Sequence, residues 1–134
     1  MGKKPEGFKV RKAGHLVIRV RDPAATAAFF QEVAGFNRKG VLQRGMHFLT
    51  SDFDDNHHML LVRPAKDGAE ARDFRTAIGF AGVTYEIADA AGFDRIIDRL
   101  NARGVGVLVD EDEKRRSMRF RDEDGLPYEF WCKA

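Results

Sequence analysis

The 134-residue chain predicts an α+β fold built from two tandem βαβββ repeats. Three observations carry this expectation. GHLVIRVRD, starting at Gly14, aligns with AGVTYEIAD, starting at Ala81, at an offset of 67 residues that places Asp22 on Asp89. An apolar stripe with the i, i+3, i+4, i+7 spacing of one helix face follows each segment: Thr26, Phe29, Phe30 and Val33, then Phe93, Ile96, Ile97 and Leu100. Three short strand-like pieces come after each stripe.

The elements follow in order. The first strand ends at Asp22, a residue suited to cap a helix, and Pro23 stands at the favoured first helical position. Gly35 ends that helix, and strands are expected at roughly 37–43, 45–51 and 57–63, punctuated by Gly45 and by the polar loop Asp52–Asn56. Pro64–Gly79 is charged and rich in small residues, with one helical turn near Asp73–Ala77. The first strand of the second half leads to Asp89, a second helix ending at Gly104, and strands at roughly 105–110, 115–121 and 126–132, with the turn DEDG at Asp122–Gly125. The reading is one domain over 1–134, with repeats at 13–63 and 80–132 and a linker at 64–79. Neither half buries its helix stripe alone, so the two pack side by side.

Composition narrows the function. The 23 Lys and Arg balance 21 Asp and Glu, and the basic residues are mixed with acids, which argues against a nucleic-acid partner. No apolar run approaches the ~18 residues of a spanning helix, and MGKKPEGFKVRK has no apolar core behind it, so neither a membrane span nor a signal peptide is expected. The single cysteine, Cys132, supports no disulfide framework and no cysteine zinc site, and reads as a small strand residue. A cytoplasmic protein is the expectation.

Strand alternation sorts the side chains. Leu16, Ile18 and Val20 are expected under the first helix, leaving His15, Val17 and Arg19 on the opposite face; in the repeat, Val83, Tyr85 and Ile87 leave Gly82, Thr84 and Glu86. Both opposite faces mix polar and apolar residues, as the wall of a ligand cavity does. His57 and His58 face opposite sides of their strand, and parity with Leu60 and Val62 selects His58 as a candidate; His47 has no partner recognisable from spacing. Glu129 sits among Tyr128, Phe130 and Trp131, where a carboxylate needs a cation: Arg19, Arg119 or a metal. Arg19 and Glu86 occupy equivalent repeat positions, which suggests an ion pair between them. Asp110–Arg116 reads as a solvated turn with charge pairs.

A tandem βαβββ repeat with a His opening its first strand and a Glu in its last, here PYEFW, resembles the vicinal-oxygen-chelate superfamily. That group includes glyoxalases, fosfomycin-resistance proteins, type I extradiol dioxygenases and bleomycin-binding proteins. The resemblance covers residues 13–132 and implies a half-open, cupped mixed sheet with helices packed on its outer face. FLTSDFDDNHHMLLV (Phe48–Val62) is most similar to the catalytic domain of extradiol dioxygenases, whose second His of the pair, here His58, acts as acid or base.

The resemblance also implies a divalent metal, Fe(II) in a dioxygenase, held by His15 and Glu129; the family's middle ligand falls on Gly82, which has no side chain to offer. Substrate contacts are expected at Arg19, Thr84 and Tyr128. The implied function is a dioxygenase-like metalloprotein acting on a small vicinal-oxygen aromatic such as a catechol. The alternative is a metal-free small-molecule-binding protein of the sequestration type with a degenerate metal site, although near-neutral charge disfavours a trap for cationic drugs. HHMLLVR carries no carboxylate, which argues against a glyoxalase. A homodimer is expected, with the site within one chain or shared between two.

Overall fold

The computed structural model describes Gly7 and residues 15–41, 45–51 and 60–134. His57 and His58 lie outside the described residues. Two helices and eight strands follow in the order β1 (Leu16–Val20), α1 (Pro23–Ala34), β2 (Asn37–Val41), β3 (His47–Thr50), β4 (Leu60–Pro64), β5 (Val83–Glu86), α2 (Ala90–Ala102), β6 (Leu108–Glu111), β7 (Arg115–Arg121) and β8 (Pro127–Lys133). The repeat is visible in the connections. One sheet has the order β1-β4-β3-β2 and the other β5-β8-β7-β6, so the same order occurs twice. In each, the first and last strands of the half pair in parallel and the remaining pairs are antiparallel.

Local chemistry explains the helix boundaries. The Asp22 carboxylate accepts the Ala25 N–H at 3.1 Å, and the Asp89 carboxylate accepts the Gly92 N–H at 2.7 Å, each satisfying a donor at a helix start. At the far end of α1, Gly35 adopts the left-handed conformation (φ 71°), which brings the Phe36 N–H back to the Phe30 carbonyl at 3.2 Å. The turn expected in the linker is present as an Ala77 N–H donating to Asp73 O at 2.9 Å.

Thr26, Phe30 and Val33 of α1 and Phe93, Ile96 and Leu100 of α2 are buried, as the helical stripes predict. They meet Ile18, Val20, Leu60 and Val62 in one half and Val83, Met118, Tyr128 and Phe130 in the other. Aromatic contacts join the halves: Phe30 meets Tyr128 at 5.1 Å between ring centroids and Phe36 meets Tyr85 at 5.5 Å. Polar contacts reinforce this junction, with the Arg99 guanidinium donating to Glu32 O at 2.8 Å and Arg103 paired to the Glu32 carboxylate. The eight strands form two four-stranded sheets, neither closed into a barrel, each with a helix on one face. No helix among the described residues is long and apolar enough to cross a membrane.

Candidate functional site

Of the predicted site residues, His15, Arg19, Thr84 and Glu129 lie on the faces turned away from the helices. On the first sheet His15, just before β1, is exposed with Val17 and Arg19. Its ring lies edge-on to Phe48, with centroids 6.1 Å apart. Register places Val17 beside Leu61 and Arg19 beside Arg63. On the second sheet one cross-strand row reads Thr84, Glu129, Arg119, Leu108. A depression of about 790 Å³ opens over this row, with Gly82 and Pro127 at one end. A second, of about 650 Å³, runs along the β1 edge past Arg19, between Phe80 and the linker residues Ala65 and Arg72. Both volumes are within the range of small-molecule sites.

Glu129 is paired, but not to either arginine expected from the sequence. Arg115 approaches its carboxylate at 3.3 Å, and the Arg115 guanidinium also lies 5.4 Å from the centre of the Trp131 ring. Arg119 is directly across the ladder from Glu129, yet its guanidinium donates to Asp110 at 2.9 Å. Arg19 lies on the other sheet, and no ion pair joins it to Glu86 among the described residues. Sequence reasoning missed Arg115 because it falls in the DEDEKRR run. The hairpin register about DEDG points to Arg119, and only the long diagonal reach of Arg115 past Trp131 brings it to Glu129.

Tyr128 takes the opposite side of its strand from Glu129. It is 2% exposed, stacked on Phe120 at 5.4 Å, and its hydroxyl donates to Asp122 at 2.9 Å. Burial, with the neighbouring Asp122 charge, pushes its phenol far above the ordinary tyrosine range. The expected substrate contact is thus a core residue whose hydroxyl is already used. Tyr85, on the same side of the second sheet, is pushed up to about 12 by burial. Thr84, by contrast, is exposed beside Glu129. The parity that linked His58 to a cavity used Leu60 and Val62, and these two belong to the core under α1, registered with Leu16 and Ile18.

Among the described residues the donor set does not suit a divalent metal. His15 precedes β1 in one half and Glu129 lies on β8 in the other, Glu129 is paired with the Arg115 guanidinium, and Gly82 has no side chain to offer. Among the described residues no group of three His, Cys, Asp or Glu is arranged to hold a metal ion. Space is not the obstacle at position 82: a Cβ there meets Pro127 O at 3.4 Å and Pro127 Cγ at 3.5 Å, ordinary contact distances. His47 is buried, and that burial, with the nearby Arg38 charge, holds its imidazole below the usual range.

Two βαβββ units, each a four-stranded sheet with a helix on one face and the other face open, define the fold class. The chain belongs to the Glyoxalase/Bleomycin resistance protein/Dioxygenase superfamily, whose family model matches residues 12–130. Two curated relatives are biphenyl-2,3-diol 1,2-dioxygenases from Paraburkholderia xenovorans (strain LB400) and Metapseudomonas furukawaii. Each is 29% identical over 133 residues, covering 95% of this chain and 40% of the relative. The chain therefore spans well under half the length of those enzymes. Among solved structures, a glyoxylase/bleomycin resistance protein/dioxygenase domain from Frankia sp. EAN1pec superposes with a TM-score of 0.78 at 16% identity, covering 94% of this chain and all of that one. A fosfomycin resistance protein, FosX, from Listeria monocytogenes solved with Mn(II) and sulfate gives 0.68 at 15% identity, covering 94% and 93%. At these identities the structural matches establish the fold.

Proposed function

We propose that the chain binds a small vicinal-oxygen aromatic of the catechol kind on its open sheet faces, without a resident three-donor metal centre. The pairing of Glu129 with Arg115, where the family's other ligand position is Gly82, carries this reading. A carboxylate already paired with a guanidinium is a poorer metal ligand, but it remains a hydrogen-bond acceptor. The depression over Thr84, Glu129 and Arg119 is large enough for one aromatic ring with substituents. The test is equilibrium binding of a catechol panel to the purified protein with and without chelator, alongside metal analysis. Chelator-independent binding by metal-free protein supports the reading; a tightly held stoichiometric metal in the wild type overturns it.

A second reading is favoured by the similarity to biphenyl-2,3-diol dioxygenases: an extradiol-type oxidoreductase with Fe(II), in which His15 and Glu129 contribute ligands and His58 moves a proton. Its test is oxygen uptake by iron-loaded protein with the same catechols, and no uptake with any of them removes it.

A homodimer belongs to the first reading. β1 and β5 are edge strands. The Val20 carbonyl accepts the Ala65 N–H at the end of β4 at 2.8 Å, so by alternation the backbone groups of Val17 and Arg19 point away from the sheet. The Ile87 N–H bonds Trp131 O on β8 at 2.7 Å, which turns Thr84 and Glu86 outward in the same way. Pairing such edges between two copies extends both sheets and brings a His15 face beside a Glu129 face. The lone cysteine, free and buried, accords with a cytoplasmic site of action.

A further inference from the structure

We propose that Arg115 is the resident cation of Glu129: braced on Trp131, its guanidinium holds one carboxylate oxygen, keeps divalent metal from it, and leaves the other oxygen to accept a ligand hydroxyl. This rests on the metal-free reading above and gives Glu129 its role within it.

The geometry begins at the β6–β7 turn. One Asp112 carboxylate oxygen accepts the backbone N–H groups of Lys114 and Arg115 at 2.7 and 3.0 Å, and the Lys114 carbonyl accepts the Ala134 N–H at 3.0 Å. The first residue of β7 is thereby anchored at both its turn and its ladder. In register Arg115 stands opposite Lys133, Ser117 opposite Trp131 and Arg119 opposite Glu129, so alternate residues from 115 to 119 share the open face with 129, 131 and 133. The Arg115 side chain runs along that face over the Trp131 ring and ends at Glu129 Oε1. The nearer candidate, Arg119, is committed to Asp110. No other cation reaches Glu129 among the described residues, and its Oε2 has no protein partner among them.

Two consequences follow from charge. Arg stays protonated at any accessible pH, so a divalent ion at Glu129 meets a fixed like charge that must first swing off the indole ring. A hydroxyl meets no such barrier. It donates to Oε2 without displacing the guanidinium, and a hydrogen bond to an ionised acceptor is stronger than a neutral one. Thr84 on one side of Glu129 and Arg119 on the other bound the place where that hydroxyl lies. Arg115 is thus a positioning residue, acting on ligand through Glu129.

The experiment has two arms, on folded protein whose melting temperature is checked for each variant. In the first, Mn(II) is titrated into wild type, Gly82→His, and Gly82→His with Arg115→Gln, with free ion followed by paramagnetic resonance. The double variant is expected to bind Mn(II) at least about tenfold more tightly than Gly82→His alone. Equal affinity of the two overturns the proposal. In the second, catechol is titrated in the presence of chelator. Arg115→Gln is expected to weaken binding about tenfold and Arg115→Lys, which keeps the charge, to weaken it less. An unchanged Arg115→Gln affinity overturns the hydroxyl role. If wild type takes no catechol at all, the catechol reading above falls, and the Mn(II) arm still decides whether Arg115 guards Glu129.

Discussion

The hydroxyl of Tyr128 donates to the carboxylate of Asp122 at 2.9 Å, tying the last strand to the turn that precedes it. Asp122 also accepts the N–H groups of Asp124 and Leu126, each at 2.9 Å, so one side chain organises the whole DEDG turn. Tyr128→Phe leaves a largely buried carboxylate oxygen without its donor, at a cost of about 1–3 kcal/mol. Chemical denaturation should show that loss while ligand affinity stays at the wild-type value. A large fall in affinity at unchanged stability would restore Tyr128 as a ligand contact.

Asp122 has a pH signature. Burial raises its pKa above the ordinary aspartate value of 3.8, against the opposing hydrogen bonds from Leu126, Tyr128 and Asp124. A raised folded pKa means that the fold prefers the protonated group. The stabilisation it contributes is fully present below 3.8 and is lost as pH rises through the folded value. Asp122→Asn should remove this component, seen as a changed slope of unfolding free energy against pH in the acid range.

His47 works in the opposite sense. Its folded pKa lies below the ordinary histidine value of 6.5, chiefly because it is buried, so the fold prefers neutral imidazole. Its contribution is present above 6.5 and is lost as pH falls from there through the depressed folded value. Unfolding in that window should take up a proton at His47, and His47→Gln should abolish the uptake. Calorimetry in buffers of different ionisation enthalpy measures it directly.

Phe30 is fully buried where the halves meet, in contact with Phe29, Phe36 and Tyr128. Truncating it opens a cavity shared by both repeats. Phe30→Ala should cost about 3–5 kcal/mol, and both halves should unfold together rather than one surviving. Two separate thermal transitions would contradict a shared core.

The dimer reading makes a sharp demand of Val17, which is 44% exposed on an edge strand with its N–H turned away from β4. Proline is tolerated at such an edge because no ladder bond inside the sheet is removed. Val17→Pro should therefore keep the fold and abolish edge-to-edge pairing, giving a monomer in sedimentation equilibrium where the dimer reading expects wild type to be dimeric. A proline variant that remains dimeric rules out the β1 edge as the contact.

Much of the fold is legible in the chain itself. The 67-residue repeat, the capping residues Asp22 and Asp89, the two helical stripes and the strand periods each depend on neighbours a few positions away, where helix and strand geometry are strict. The faces of His15, Arg19 and Thr84 follow from the same alternation; applied to β8 it also sets Tyr128 on the opposite face from Glu129, against the substrate contact expected there.

What the tertiary structure decided depends on distance across strands and between halves. Separation into two four-stranded sheets, the aromatic seam from Phe30 to Tyr128, and the edge positions of β1 and β5 come from how the repeats dock. The partner of Glu129 is the clearest case. Ladder register nominates Arg119, but a long side chain goes where its charge is best paired, so Asp110 takes Arg119 and Arg115 crosses Trp131 to reach the carboxylate. Short-range geometry is written in residue spacing, whereas the pairing of flexible charged side chains is settled only when every competing partner has its place.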